Sequence, residues 1–126
     1  MKRVSLAALI LASAAVFSGP ARAGGDPEAG KALFNSICTL CHTNIEHKAK
    51  IGPSLFGVVG RHSGMEPGYS YSDANKNSGI TWTPDVLEVY LIKPQALVPG
   101  TKMGYAGQPD KQKRADIIAY LQTLHY

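Results

Sequence analysis

The stretch CTLCH, residues 38–42, places two thiols and an imidazole within five consecutive positions. The chain contains two cysteines in total, so both lie in this stretch. Four interpretations are open: a disulfide, a thioredoxin-like redox pair, a zinc site, or covalent attachment of a c-type haem. A disulfide across two intervening residues would constrain little of the unfolded chain. The cysteines are therefore expected to serve chemistry rather than stability.

The chain opens with the features of a secretory signal. Two basic residues precede an apolar run from Val4 to Phe17, and a small-residue cleavage site ends at Ala23. The apolar run is shorter than the roughly 20 residues that span a bilayer. We expect cleavage after about Ala23, with residues 1–23 as the signal peptide and 24–126 as one periplasmic domain. The alternative is an uncleaved N-terminal anchor.

Removal of the signal changes the net charge. The full chain has 13 basic and nine acidic residues, a formal charge of +4. Three of the basic residues lie in the predicted signal, so ten basic and nine acidic residues remain, a charge of +1. Nucleic-acid-binding proteins carry strongly clustered Lys and Arg. We therefore expect no nucleic-acid partner, and no stable membrane insertion after cleavage.

Helix signals recur along the rest of the chain, separated by long loops. Caps and apolar spacing predict four helices, in AGKALFNSIC after Asp26, in YSDANKN, in VLEVYLIK after Thr83, and in KQKRADIIAYLQTLHY after Asp110. Pro94 is expected to end the third helix. No alternating strand pattern is present, so the predicted fold class is all-α with long loops.

The long loops need something to pack against, because loops of that length cannot bury their backbone polar groups unaided. A large apolar cofactor would act as the core that the protein lacks. Covalent haem fits this need, since two thiols can form thioethers with one porphyrin while the adjacent imidazole binds the iron. A redox pair expects a βαβ context, and a zinc site needs four ligands.

A second axial ligand to the iron would come from the far side of the haem. Two methionines remain once Met1 is removed, Met65 in RHSGMEPG and Met103 in PGTKMGYAG. Either one, taken alone, is more often a core residue. Met103 is favoured because its Gly- and Pro-bounded loop can extend over the face opposite His42.

Five motifs together resemble class I cytochrome c: CTLCH, GPSLFGVVGRHSG, PGYSYSDANKNSGITWTPDVLEVYL, VPGTKMGYAG and RADIIAYL. They are similar to mitochondrial cytochrome c and its soluble bacterial relatives. The resemblance implies a small all-α fold in which N- and C-terminal helices cross and short helices and loops enclose one covalent haem c. In that fold Gly30 and Phe34 meet Ile117 and Tyr120 at the crossing.

The resemblance also implies the residues of the haem site. Cys38 and Cys41 would carry the two thioethers. His42 and Met103 would be the axial ligands, with the Pro53 carbonyl accepting the imidazole N–H. The residues that would satisfy a haem propionate are Arg61, Tyr71 and Trp82, with Tyr69 nearby. The residues that would line the methionine side are Asn75, Tyr90 and Thr101.

The function that the resemblance implies is one-electron transfer rather than catalysis. The expected carrier is a soluble periplasmic monomer that docks transiently on membrane redox complexes. Its donor would be a quinol-oxidising complex (a quinol:cytochrome c oxidoreductase) or a dehydrogenase. Its acceptor would be a terminal oxidase (a cytochrome c oxidase) or a photosynthetic reaction centre. The rival functions are a peroxidase-like or gas-binding haem enzyme and a structural zinc or disulfide module.

Three positions depart from the resemblance on the expected docking face. Ile37 and Gln95 stand where mitochondrial relatives carry docking lysines, and Tyr105 replaces a phenylalanine beside the methionine. Fewer lysines weaken long-range steering toward acidic partners. We therefore expect docking to rely more on apolar contact around the haem edge.

Overall fold

The computed structural model describes residues 24–126 as helices joined by long loops. Its elements are α1 (Pro27–Ile37), a 3₁₀ turn (Cys38–Leu40), α2 (Asp73–Asn77), α3 (Pro84–Ile92), α4 (Pro94–Leu97) and α5 (Lys111–Leu121). Across this range the only β-type pairing is one isolated bridge between His62 and Thr81. The all-α prediction is therefore confirmed. The predicted signal peptide, residues 1–23, lies outside the described residues.

Four helices begin at a side chain that accepts a hydrogen bond from an N–H of the first turn. These caps are Asp26 to Glu28 N–H at 2.9 Å, Ser72 to Asn75 N–H at 3.1 Å, Thr83 to Val86 N–H at 3.3 Å and Asp110 to Lys113 N–H at 2.9 Å. Each satisfies a helical N–H that would otherwise be unpaired, which is worth about 1 kcal/mol. The predicted helix starts after Asp26, Thr83 and Asp110 are confirmed.

Helices α1 and α5 cross at a glycine. Gly30 lies so close to α5 that a Cβ atom there would overlap the backbone carbonyl of Asp116. One turn further along, the fully buried ring of Phe34 packs on Tyr120 with 5.1 Å between ring centroids. Ile117 is buried beside them. Burial of each large apolar side chain contributes about 1.5–3 kcal/mol, so this crossing holds the two ends of the domain together.

The end of α3 at Pro94 agrees with the sequence prediction, whereas the short helix α4 and the early end of α5 differ from it. Pro94 ends α3 and also begins α4, because the residue before it is extended and a proline fits the first turn of a helix. Helix α5 ends at Leu121 instead of continuing to the C-terminus. Beyond that end, the carbonyl of Leu124 accepts a hydrogen bond from Gly57 N–H at 2.6 Å. The last residues therefore pair with the first long loop.

An ion pair ties α3 to α5. The Arg114 guanidinium donates to one carboxylate oxygen of Glu88 from Nε at 2.9 Å and from Nη2 at 2.8 Å. Its Nη1 donates to the backbone carbonyls of Gln108 and Pro109, which lie in the loop just before α5. This fixes α3, whose inner face forms part of the cavity described below. Within residues 24–126, no helix is long and apolar enough to cross a bilayer.

Candidate haem-binding site

A cavity of about 580 Å³ opens between the 3₁₀ turn, α3 and the long loops. Ligand sites in proteins span roughly 300–1,000 Å³. All twelve site residues expected from the resemblance line this cavity: Cys38, Cys41, His42, Pro53, Arg61, Tyr69, Tyr71, Asn75, Trp82, Tyr90, Thr101 and Met103. Between them lie apolar side chains, among them Leu55, Val58, Leu87, Leu91 and Ile117. The site is thus mostly apolar, with a few placed polar groups.

The 3₁₀ turn brings both thiols and the imidazole to the same rim of the cavity. The carbonyl of Cys38 accepts from Cys41 N–H at 3.1 Å and from His42 N–H at 2.8 Å, which tightens the chain after α1. Both cysteines are free thiols. Burial, and then the neighbouring Cys41, raise the pKa of the Cys38 thiol to about 11. That sulfur is therefore a neutral thiol near pH 7.

His42 is oriented by its contacts on the outer side of the ring. Its Nδ1–H donates to the Pro53 carbonyl at 2.8 Å, because a carbonyl can only accept. A Cβ at Gly52 would lie 2.6 Å from the imidazole Cε1, so only glycine lets the ring seat there. Burial lowers the pKa of His42, and the positive charge of Arg61 lowers it further. The hydrogen bond to Pro53 acts in the opposite direction but does not cancel the lowering. The ring is neutral, with the Nε2 lone pair free to bind a metal.

A polar cluster lies beside Met103. The Asn75 amide oxygen accepts from Thr101 Oγ1 at 2.8 Å and from Ser72 Oγ at 2.9 Å. Thr101 also lies 3.5 Å from the Tyr90 hydroxyl and accepts from Met103 N–H at 3.3 Å. Burial raises the pKa of Tyr90, opposed by its hydrogen bonds to Thr101 and Asn75. The cluster is uncharged at neutral pH, and nothing in the sequence marks Ser72 as a member.

Arg61 stands in the wall between this cavity and a smaller cleft of about 220 Å³. Its Nη1 donates to Glu66 at 2.7 Å and to the Phe56 carbonyl at 3.2 Å, and its Nη2 donates to the Ser54 carbonyl at 2.8 Å. A guanidinium carries five N–H groups, so Nε–H and one Nη2–H are left for a propionate. Arg61 is thus held in place before any cofactor contacts it.

Glu66 is a partner of the site that sequence reasoning does not identify. Its side chain is only 6% exposed, yet it accepts from Arg61 and from His47 Nδ1, the latter at 3.0 Å. His47 is the one non-glycine residue with positive φ, at 53°, among those the structure describes. A glutamate in a glycine-rich loop is ordinarily solvated. Only the folded structure shows that Glu66 balances the charge of Arg61.

The aromatic side chains that line the cavity pack on one another in two pairs. The rings of Tyr69 and Tyr71 meet edge to face with 4.8 Å between centroids, and Trp82 lies 4.6 Å from Tyr90. Burial raises the pKa of Tyr71, with smaller opposing effects from Arg61. Tyr71 therefore keeps its proton near neutral pH and can donate to a carboxylate.

Lysine and glutamine side chains around the cavity bond to backbone carbonyls of the protein itself. Lys50 Nζ donates to the Thr39 carbonyl at 2.6 Å, and Lys102 Nζ donates to the Ser70 carbonyl at 2.9 Å. Both ammonium groups are thus bonded to the protein's own backbone. The Gln95 amide points inward and bonds to the loop around Met103. Gln95 is therefore not available as a docking side chain in this conformation.

These residues fit a haem. The cavity has the size and apolar lining for a large flat cofactor, with two thiols at one rim. A neutral imidazole and a thioether both line it. Among residues 24–126, no three His, Cys, Asp or Glu side chains converge on a point where a metal ion could bind without a porphyrin. The thiol pair and His42 therefore suit haem rather than a bare metal ion.

Comparison with known proteins agrees with this geometry. The family model described as Cytochrome c matches residues 27–125. The chain is 71% identical over 100 residues to cytochrome c2 of Rhodopila globiformis, covering 79% of this chain and 94% of that protein. It is 44% identical over 126 residues to cytochrome c2 of Rhodomicrobium vannielii, covering 99% and 98%. Among solved structures, cytochrome cH from Methylobacterium extorquens matches with a TM-score of 0.73 and 46% identity, covering 79% of this chain and 99% of that one.

The match resolves the four interpretations of CTLCH. Cys38 and Cys41 have the spacing by which the matched family binds haem covalently. The redox-pair, zinc and disulfide interpretations are thereby set aside, and so is the rival haem enzyme, because members of this family transfer electrons. The chain belongs to the cytochrome c family, as a class I cytochrome c that binds covalent haem c and transfers electrons rather than catalysing a reaction.

Proposed function

We propose that the protein is a periplasmic one-electron carrier whose haem iron is bound by His42 and Met103 and whose thioethers form at Cys38 and Cys41. One observation carries the proposal: the side chain of Met103 and the neutral imidazole of His42, whose Nδ1–H donates to the Pro53 carbonyl, line the same cavity. Bound haem supplies the electron exchange, and His/Met ligation gives a relatively high reduction potential. Two protein ligands leave the iron no open position for a substrate.

The surrounding residues would keep the ligands in place in both oxidation states. The apolar walls exclude water, and the neutral cluster of Asn75, Tyr90 and Thr101 positions the methionine side without adding charge. Arg61, Tyr71 and Trp82 would hold a propionate, with Tyr69 packed beside Tyr71. A buried carboxylate is costly without such donors, so this end of the site anchors the cofactor.

Replacement of the distal ligand tests the ligand assignment. Met103→Ala should abolish the sulfur-to-iron charge-transfer absorbance of the ferric protein and lower the reduction potential, while the haem stays attached through Cys38 and Cys41. Met65→Ala is the matched control, because Met65 is 68% exposed and is not among the residues that line the cavity. An unchanged potential in Met103→Ala refutes the assignment.

We propose further that residues 1–23 are removed and that residues 24–126 act in the periplasm. The charge and apolar pattern of the first residues supports export. Packing begins directly after the expected cleavage point: Asp26 N–H donates to the buried Asp116 carboxylate at 2.8 Å. N-terminal sequencing of the haem-containing protein from the periplasmic fraction tests this. A start near Gly24 is expected, and an intact Met1 refutes it.

The partners we propose are membrane redox complexes. The donor is a quinol-oxidising complex or a dehydrogenase, and the acceptor is a terminal oxidase or a reaction centre, each met as a monomer through a small, transient interface. The cytochrome c2 relatives support this class of partner. Stopped-flow reduction and oxidation of the purified protein by membranes of its own host would identify the donor and the acceptor. Membranes that neither reduce nor oxidise it faster than small redox dyes refute the assignment.

A further inference from the structure

The segment that carries Met103 has no helix or strand of its own. Residues 98–110 run as loop from the end of α4 to the cap of α5. Near its start, Thr101 N–H donates to the Val98 carbonyl at 3.0 Å. Near its end, Gln108 N–H donates to the Leu91 carbonyl at 2.7 Å. The first tie lies two residues before Met103, and the second lies five residues after it. Thr101 Oγ1 also accepts from the Met103 N–H at 3.3 Å, so it is the backbone carbonyls around Gly104 that need a further support.

Gln95 supplies that support. Its Nε2 donates to the carbonyl of Met103 at 2.5 Å and to the carbonyl of Tyr105 at 3.1 Å. The single amide group thus bridges the two residues on either side of Gly104. Backbone carbonyls of an irregular loop otherwise depend on water, so this contact fixes the loop at the residue that faces the cavity.

The platform beneath Gln95 is rigid. Helix α4 is only four residues long, but its Pro94 is among the most deeply buried side chains of the described chain. Val98 is 3% exposed, and its N–H donates to the Pro94 carbonyl at 3.0 Å. Gln95 itself is half-buried, which reduces competition from water for its amide. A side chain held at its base loses less entropy when it bonds the loop.

We propose that Gln95 is a positioning residue that holds Met103 in place for the iron. This inference rests on the proposed His42 and Met103 ligation. By sequence, Gln95 occupies a docking-lysine position of the mitochondrial relatives, but here it faces inward and bonds the distal loop. When both hydrogen bonds are absent, the loop opens more often, the thioether leaves the iron more often, and small external ligands enter the vacated position.

Two variants remove the amide donor without removing the bulk. Gln95→Met keeps a similar length and has no N–H group. Gln95→Glu keeps the shape and places oxygen atoms against the two carbonyls. Gln112→Met is the matched control: Gln112 donates to the Asp116 carboxylate at 2.9 Å from the exposed face of α5, so it loses a side-chain amide bond away from the loop.

The first measurement is amide hydrogen exchange at Met103 in the haem-containing ferric protein. Its N–H is protected by Thr101, so its exchange rate reports opening of the loop. Loss of two hydrogen bonds predicts roughly a thirtyfold faster exchange in Gln95→Met. The second measurement is imidazole binding to the ferric iron, which should tighten by about the same factor. Gln112→Met should match the unmodified protein in both.

The possible results separate the two proposals. Faster exchange and tighter imidazole binding in both Gln95 variants, with the control unchanged, support the inference. Exchange at Met103 that is unchanged in Gln95→Met and Gln95→Glu overturns it, whatever the ligand of the iron. If the unmodified ferric protein lacks the sulfur-to-iron absorbance, the proposed ligation fails instead, and the exchange rates still decide whether Gln95 holds the loop. Equal effects in Gln112→Met also overturn the inference.

Discussion

Replacement of Glu66 by glutamine should destabilise the folded protein, because the buried Glu66 carboxylate accepts hydrogen bonds from both Arg61 and His47. It accepts from Arg61 at 2.7 Å and from His47 at 3.0 Å. Glutamine keeps the shape but not the charge, so each charge-assisted bond weakens to an ordinary one. That difference is about 1 kcal/mol per bond, which gives about 2 kcal/mol for the pair.

The assay is urea unfolding of the haem-containing protein, supported by thermal melting. A loss of about 2 kcal/mol should lower the melting temperature by about 10 °C in a domain of this size, with the denaturant slope unchanged. Asp73→Asn is the control, since its ion pair with Lys76 spans 3.8 Å and Asp73 is 92% exposed; its effect should be under about 0.5 kcal/mol. Equal urea midpoints for Glu66→Gln and the unmodified protein would show that the Glu66 carboxylate does not stabilise the fold by balancing the charge of Arg61.

Three further predictions concern other parts of the structure. Gly30→Ala should cost roughly 3 kcal/mol in urea unfolding, because its Cβ would overlap the Asp116 carbonyl, and an unchanged midpoint contradicts this. Burial raises the pKa of Tyr90 above the unfolded value of 10.0, so the stability that Tyr90 contributes is complete below pH 10.0 and is lost as pH rises through the folded pKa. Tyr90→Phe should therefore flatten the alkaline loss of the unfolding free energy measured between about pH 9 and 11. A slope equal to that of the unmodified protein contradicts this prediction. Ile37→Lys should speed association with a mitochondrial-type oxidase at low salt, and stopped-flow rates that do not change would place Ile37 off the docking face.

Helix starts and the haem attachment stretch follow from local sequence, which is why they could be predicted. Asp26, Thr83 and Asp110 cap helices through contacts within three residues, and the spacing within CTLCH indicates haem attachment, which the family match then decides. The fold class follows from the absence of strand alternation. Family resemblance added the long-range members of the site, such as Pro53 and Arg61, whose roles no local pattern specifies.

The parts that could not be predicted depend on contacts between distant segments. From the sequence, Glu66 is expected to be a solvated loop residue and Gln95 a residue of the docking face. No residue pattern around either one indicates its hydrogen-bond partner. Their roles appear only when Arg61 and the Met103 loop come within hydrogen-bonding distance in the fold. The early end of α5 has the same origin, since Leu124 pairs with a residue far back in the chain.

The contact between α1 and α5 has a consequence for the order in which the molecule is completed. Asp26 and Asp116 are bonded across 90 residues of sequence, so the contact that closes the domain is highly non-local. Such contacts carry a large loop-closure entropy and form slowly. Cys38 and Cys41 follow α1 at the start of the domain, whereas α5, which packs against α1, is the last helix of the chain. A chain truncated before Lys111 should therefore retain both thiols and the imidazole yet be unable to shut the cofactor away from water.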